Sequence, residues 1–342
     1  MRPLKVALVN IPLRVPGGDA WISVPPQGYG GIQWVVANLM DGLLELGHEV
    51  FLLGAPGSPA GRPGLTVVPV GEPEEIQQWL RTAGVDVVHD HSGGVIGPAG
   101  LPPGTAFISS HHFTTRPVNP VGCTYSSRAQ RAHCGGGDDA PVIPIPVDPA
   151  RYRSAADEVA KEDFLLFMGR VSPHKGALEA AAFAHACGRR LVLAGPAWEP
   201  DYFDEITRRY GSTVEPIGEV GGERRLDLLA SAHAVLAMSQ AVTGPWGGIW
   251  CEPGATVVSE AAVSGTPLVG TGNGCLAEIV PSVGKVVGYG TDFAPDEARR
   301  TLEGLPASDE VRRAAVRLWG HVTIAERYVE QYRRLLSGVT WK

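Results

Sequence analysis

Residues 250–274, which read WCEPGATVVSEAAVSGTPLVGTGNG, carry two glutamates, Glu252 and Glu260, eight positions apart. Pro253 suits the first turn of a helix, a small apolar stripe follows it, and Gly265 suits the end of that helix. We therefore predict a helix that begins at Pro253 and ends at Gly265, followed directly by a short strand. A helix followed by a strand is one unit of an alternating α/β fold.

The spacing of the two glutamates suits a nucleotide sugar. On a helix that rises about 1.5 Å per residue, Glu252 and Glu260 would lie roughly 12 Å apart along the axis. One carboxylate could accept hydrogen bonds from sugar hydroxyls and the other from ribose hydroxyls, with the diphosphate at the helix N-terminus. The alternative is that both are ordinary solvated residues, because a pair of glutamates is a weak motif.

The composition indicates a globular chain that is long enough for two domains. The chain has 342 residues, 44% of them apolar and 19% charged, with a formal net charge of -7. This charge, with no basic run, argues against binding to nucleic acid and against stable binding to a membrane. The five cysteines form no C-x-x-C pair, and the N-terminal apolar run is too short for a membrane span, so we expect a cytoplasmic protein.

Apolar runs alternate with helical periodicity in two separate parts of the chain. The first run, Lys5 to Ile11, precedes a Gly-rich loop, a periodic helix over 32–46 and a further strand. The alternation restarts at Phe164 after a proline-dense segment over 142–149, which we interpret as an interdomain linker. The pattern predicts two doubly wound α/β domains.

Polar residues gather beyond predicted strand ends, where ligands bind in open α/β sheets. Gly30 and Gly31 open the first helix, so their backbone could approach a phosphate or an acceptor hydroxyl, or could only shape a turn. Two strand ends carry histidines and one aspartate: His89, Asp90, His91, His111 and His112. This cluster could bind the metal of a hydrolase, but we favour substrate contact by one imidazole, because no firm metal-ligand spacing is present.

The loop over 169–176 carries two cations, Arg170 and Lys175, at the end of a predicted strand. Preplaced positive groups stabilise the charge that forms on a diphosphate leaving group, although such a loop could also be simply solvated. No D-x-D pair occurs in the chain, so we expect no metal and assign the diphosphate to cations and a helix end.

Together these segments resemble the retaining nucleotide-sugar glycosyltransferases of family 4, which have the GT-B fold. The resemblance rests on Gly169-Arg170 with Lys175-Gly176, on Glu252 and Glu260, and on four further segments in matching order: 26–32, 109–111, 146–148 and 319–332. It implies two Rossmann-like domains that face one another across a cleft, with a C-terminal helix that crosses back to the first domain. The implied boundaries are residues 1–148 plus 321–342 for the acceptor side and residues 149–320 for the donor side.

The resemblance also implies a role for each matching residue. Arg170 and Lys175 would bind the donor diphosphate, Glu252 the hydroxyls of the donor sugar, and Glu260 the ribose. His111 would lie by the donor sugar near the acceptor. The backbone positions expected along the donor are Gly30, Gly31, Gly169, Gly254 and Ala255. In this family the sugar is transferred with retention and without a resident cofactor, and the leaving phosphate takes the proton of the acceptor.

Departures from the family pattern concern the choice of sugar and acceptor. The usual E-x-F-G becomes EPGA over 252–255, and Gln33 stands where Glu is common. Trp246 and Trp250 could stack on an unusual sugar or could simply be packed. We expect UDP to carry the donor sugar, with GDP or dTDP as alternatives.

The sequence also resembles glycosyltransferases of the avilamycin type of oligosaccharide antibiotic pathway. This resemblance implies a soluble carbohydrate or natural-product acceptor rather than a lipid or a polymer. A non-catalytic nucleotide-sugar binding protein stays open beside the metal-dependent hydrolase.

Overall fold

A computed structural model describes residues 2–15, 17–28, 30–153, 159–245 and 247–342. The chain divides into two compact units, one of Met1–Asp148 with Trp319–Lys342 and the other of Pro149–Leu318. Each unit contains a six-stranded sheet whose strand pairs are parallel. These sheets confirm the predicted α/β class and the two doubly wound halves.

The first unit is built around β1, whose residues Val6 to Val9 are completely buried because helices cover both faces of the sheet. Its sheet has the order β3-β2-β1-β4-β5-β6. Its strands are β1 (Lys5–Val9), β2 (Glu49–Leu53), β3 (Leu65–Val67), β4 (Val87–Asp90), β5 (Ala106–Ser110) and β6 (Cys123–Thr124). Its helices are α1 (Gly31–Glu45), α2 (Pro73–Leu80), α3 (Arg128–His133) and, from the C-terminal part of the chain, α11 (His321–Leu336).

The second unit repeats this strand order around β7, as β12-β11-β10-β7-β8-β9. Its strands are β7 (Phe164–Met168), β8 (Arg190–Ala194), β9 (Val214–Gly218), β10 (Ala234–Ala237), β11 (Leu268–Thr271) and β12 (Gly284–Val287). Its helices are α4 (Ala177–Cys187), α5 (Pro200–Tyr210), α6 (Gly222–Ser231), α7 (Thr256–Val263), α8 (Leu276–Ile279), α9 (Pro295–Glu303) and α10 (Ser308–Trp319). The order reverses between β7 and β10, the switch point beside which ligands bind in such sheets.

The helix predicted from Pro253 to Gly265 is wrong at its start. It begins at Thr256, and the residues before it are not helical, so Glu252 lies ahead of α7 rather than on it. The predicted separation of about 12 Å, which assumed one continuous helix, therefore does not apply.

Two aromatic residues of the sequence motifs, Tyr29 and Trp246, lie outside the described residues. Among the residues that are described, no helix combines the length and the apolar character needed to cross a membrane.

Candidate active site

Lys175 is placed by a single 3-10 turn, Pro173–Lys175, that follows β7. Gly176 ends this turn with a φ of +74°, a conformation that favours glycine. A Cβ atom on Gly176 would lie only 1.8 Å from the carbonyl oxygen of Met238. The turn therefore packs against the end of β10 only because residue 176 is glycine, and the backbone N–H of Gln240 donates to its His174 carbonyl at 3.0 Å.

Lys175 and Glu252 form an ion pair in the second unit. The Lys175 Nζ lies 2.8 Å from both carboxylate oxygens of Glu252, which is only 3% exposed. Burial acts to raise the pKa of Glu252, but the Lys175 charge and the hydrogen bonds to the carboxylate, including one from Trp250, hold this pKa below its ordinary value. Glu252 is thus a buried, ionised acceptor, and its interpretation as a solvated residue is wrong.

The backbone of Glu252 is fixed by the loop that follows β11. The N–H of Cys275 donates to the Glu252 carbonyl at 2.8 Å. A Cβ on Gly274 would lie 2.3 Å from the same carbonyl oxygen, so the two segments touch backbone to backbone. Gly254 and Ala255 are half-buried in the segment that joins Glu252 to α7.

Trp250 packs beneath the ion pair instead of offering an open face. It is 7% exposed, and its ring centroid lies 4.7 Å from the Lys175 Nζ and 4.6 Å from the His174 ring. Its indole N–H donates to Ser239 Oγ and to Glu252 Oε2, both at 3.1 Å. Of the two alternatives for Trp250, the structure favours packing.

Ser239 is a residue that the sequence analysis missed. Its hydroxyl lies just beyond β10, donates to the His174 carbonyl at 3.0 Å and accepts from Asn273 Nδ2 at 3.2 Å. The side chain thereby connects three loops around the ion pair. Its position directly after a buried apolar strand was the signal that could have identified it.

Glu260 is held by a different set of residues. It lies on α7, is 2% exposed, forms an ion pair with Arg225 of α6 and accepts a hydrogen bond from the Tyr152 hydroxyl at 3.2 Å. Burial opposes the charged form of Arg225, but the Glu260 charge outweighs it and raises the pKa of Arg225. Glu260 is therefore not a solvated residue either, because its carboxylate is already bound by Arg225 and Tyr152.

Arg170 follows β7 and stacks on an aromatic ring. Its Cζ lies 4.4 Å from the ring centroid of Trp198, in the loop after β8. Its Nε is buried and has no hydrogen-bond partner within the part of the chain that the structure describes. Gly169, just before it, donates its backbone N–H to the Ala194 carbonyl at 2.9 Å.

The remaining predicted residues lie in the first unit. Gly31 is the first residue of α1, and a Cβ on Gly30 would lie 3.0 Å from the side chain of Pro26. His111 is buried, and its Nε2 lies 2.6 Å from the Thr115 carbonyl, which places the proton of a neutral ring on Nε2. Burial lowers the pKa of His111, partly offset by that hydrogen bond.

Comparisons with known proteins decide the family. No family model and no curated protein matches the chain. Among solved structures, the crystal structure of AviGT4, a glycosyltransferase involved in avilamycin A biosynthesis, is 96% identical over 99% of this chain and 100% of that chain, with a TM-score of 0.98. The chain belongs to the glycosyltransferases with the GT-B fold.

More distant structures share the fold of this glycosyltransferase. Sucrose-phosphate synthase from Thermosynechococcus elongatus is 17% identical over 98% of this chain and 100% of that chain, with a TM-score of 0.67. HepE of Anabaena in complex with UDP-glucose is 16% identical over 97% of this chain and 100% of that chain, with a TM-score of 0.65. At such identities the likeness concerns the fold alone.

The histidine cluster of the glycosyltransferase gives the hydrolase alternative no support. His89 bonds to Tyr332 through Nδ1 and to Ser110 through Nε2, each at 2.8 Å, and His91 bonds to His112 at 2.9 Å. In the described ranges, no group of three or more His, Cys, Asp or Glu side chains is arranged to hold a metal. The cluster ties α11 to β4 and β5 by hydrogen bonds.

Proposed function

We propose that this glycosyltransferase transfers a sugar from a nucleoside diphosphate sugar to a hydroxyl of a soluble acceptor during the assembly of an oligosaccharide antibiotic. The observation that carries the proposal is the 96% identity to AviGT4, whose described role lies in avilamycin A biosynthesis. The acceptor is then a growing oligosaccharide or a related natural-product intermediate. The cytoplasm stays the predicted location.

The donor is proposed to bind around Lys175 and Glu252. The ionised Glu252 offers lone pairs to the hydroxyls of the donor sugar, and the Lys175 ammonium lies beside it to meet a phosphate oxygen. Arg170 adds a second cation for the diphosphate, and Glu260 takes the ribose. The backbone positions Gly30, Gly31, Gly169, Gly254 and Ala255 stay predicted donor contacts.

The proposed chemistry is metal-independent and retaining. Arg170 and Lys175 neutralise the leaving diphosphate in place of a metal, because preplaced charges stabilise a leaving group as its bond breaks. The bond from the anomeric carbon to the phosphate oxygen breaks, and a bond to the acceptor oxygen forms on the same face. The leaving phosphate takes the acceptor proton, and His111 stays the residue that is predicted to lie by the donor sugar. Retention rests on the family resemblance and is tested by NMR of the product anomer.

The first experiment is a thermal-shift screen of metal-stripped protein against UDP, GDP, dTDP and ADP. A ligand at about 100 times its Kd should stabilise the protein by roughly 2.7 kcal/mol. UDP is expected to give the largest thermal shift, because HepE, a protein of the same fold, was solved with UDP-glucose. Stabilisation by zinc or manganese alone, with no nucleotide response, would contradict the proposal.

The matching variant is the double change Lys175→Met with Glu252→Gln, which removes both charges and leaves no buried carboxylate unpaired. Sugar transfer should fall by about 10²-fold or more, with the fold retained. The control is Arg190→Met with Glu215→Gln, an exposed ion pair of the same unit that should keep normal transfer. The wild type could instead bind the donor but show neither sugar transfer to any of a wide panel of acceptors nor slow hydrolysis of the donor. That result would favour a non-catalytic binding protein.

A further inference from the structure

Arg170 and Trp198 come from two loops that are bound to each other. Arg170 follows β7, and Trp198 lies in the loop between β8 and α5. The backbone N–H of Val171 donates to the Pro196 carbonyl at 3.0 Å, which fixes the Arg170 loop beside the Trp198 loop. This backbone hydrogen bond holds together the two loops that carry the stacked guanidinium and indole.

The edge of the stacked guanidinium makes no hydrogen bond within the part of the chain that the structure describes. A cation over an aromatic face is attracted to the ring, and the in-plane N–H groups of arginine stay available as donors. Arg170 makes no ion pair and no hydrogen bond with the described residues, and none of them supplies an acceptor for its buried Nε–H. Lys175, in contrast, is bound by both oxygens of Glu252. Of the two cations Arg170 and Lys175, Arg170 is thus the one whose N–H donors are not bound by a carboxylate of the described residues.

We propose that Trp198 is a positioning residue that holds the Arg170 guanidinium ready for the diphosphate of the donor. The inference rests on the proposed function, because it takes Arg170 as a diphosphate ligand. Trp198 is 55% exposed, so it adds little to the core, and its face restricts a long side chain that would otherwise lose rotamer freedom on binding. Phosphate oxygens then accept from the edge of a guanidinium that is already in place.

The test is a double-mutant cycle on the full chain, with UDP as the probe and GDP and dTDP alongside. The variants are Trp198→Leu, Trp198→Phe, Arg170→Met, and Trp198→Leu with Arg170→Met, and the readout is Kd by isothermal titration calorimetry. Trp198→Leu should weaken nucleotide binding by roughly 2- to 13-fold, the effect of immobilising one long side chain on binding, and Trp198→Phe should restore most of it. In the Arg170→Met background, Trp198→Leu should have no further effect.

Trp21→Leu is the matched control, because Arg14 stacks on Trp21 at 4.2 Å in the other unit. This control should leave the nucleotide Kd unchanged. A wild-type Kd for Trp198→Leu would overturn the inference alone, as would a full Trp198→Leu penalty in the Arg170→Met background, which would mean direct contact with the nucleotide. A wild type that binds none of the three nucleotides would overturn the proposed function with it.

Discussion

At the scale of single residues, Lys175 and Glu252 are bound to each other. The Lys175 ammonium that is proposed to bind phosphate is held by Glu252, and the Glu252 carboxylate that is proposed to bind sugar hydroxyls is held by Lys175. Glu252→Gln keeps the shape of the side chain and frees Lys175 for phosphate, so UDP should bind as tightly as to the wild type, or up to about 10-fold tighter. Transfer should nevertheless fall by about 10²-fold or more, because the ionised acceptor for sugar hydroxyls is lost. Calorimetry and turnover measurements separate the two effects.

A Glu252→Gln variant that lost UDP binding would contradict this separation. The control is Glu215→Gln, which removes an exposed carboxylate of the same unit. Lys175→Met should behave in the opposite way. It strands the buried Glu252 carboxylate without its cation, so both the melting temperature and UDP affinity should fall.

The sequence identifies these charged residues more readily than the pairs that they form. Glu252 and Glu260 stand out by their spacing, but Lys175 lies 77 positions before Glu252, and Tyr152 lies 108 positions before Glu260. No local pattern relates residues that far apart, because such contacts depend on how the strands assemble. The sequence was therefore enough to predict a donor site, but the ion pair between Lys175 and Glu252 became visible only in the structure.

At the scale of elements, the turn before α4 depends on Gly176. Gly176→Ala would place a Cβ against the Met238 carbonyl and would force the Lys175 turn away from β10. We expect a loss of stability of about 2 kcal/mol or more and a UDP affinity at least about 10-fold weaker. Thermal melting and calorimetry measure the two effects.

Gly188→Ala is the matched control for this change. Gly188 has a similar φ of +67°, at the other end of α4, but its Cβ would meet nothing within 4 Å. It should therefore lose only about 1–2 kcal/mol from backbone strain, with normal UDP affinity. Equal effects of the two substitutions on UDP affinity would show that the contact with Met238 does not place Lys175.

The start of α7 shows where element prediction from sequence ends. Pro253 is compatible with a first helical turn, which placed the helix start three residues too early. The backbone of Glu252 instead pairs with Cys275 in the loop after β11, and this contact keeps the segment out of the helix.

The apolar strand at Lys5–Val9 was predictable because burial on both faces leaves a continuous apolar run. The three-residue strand Leu65–Val67 was missed, because so short an edge strand has too little pattern.

At the scale of the whole molecule, the buried histidines of the first unit link stability to pH. Burial first, and then neighbouring histidine charge, lowers the pKa of His89 to about 3 and that of His91 well below its ordinary value. Below about pH 6.5 the unfolded chain therefore binds protons that the folded chain does not, and stability falls as the pH falls. Asp90 acts in the opposite direction, because burial raises its pKa to about 6 and the folded chain takes up its proton first.

Burial lowers the pKa of His112 to about 3 as well. Three histidines against one aspartate leave a net uptake of at least about two protons on unfolding, so stability should fall by about 2.7 kcal/mol or more per pH unit between about pH 6 and about pH 4. His89→Gln should flatten this dependence, Asp90→Asn should steepen it, and His133→Gln, which removes an exposed histidine, should leave it unchanged. Urea unfolding at a series of pH values measures the pH dependence of stability for each variant. Hydrogen exchange in peptides of β4 and β5 monitors the unfolding of this part of the first unit. A His89→Gln protein as acid-sensitive as the wild type would mean that His89 is protonated in the folded chain. Opposite changes for His89→Gln and Asp90→Asn would instead assign the acid response mainly to burial at the ends of the central strands, because burial shifts the two pKa values in opposite directions whereas a shared neighbouring charge shifts both the same way.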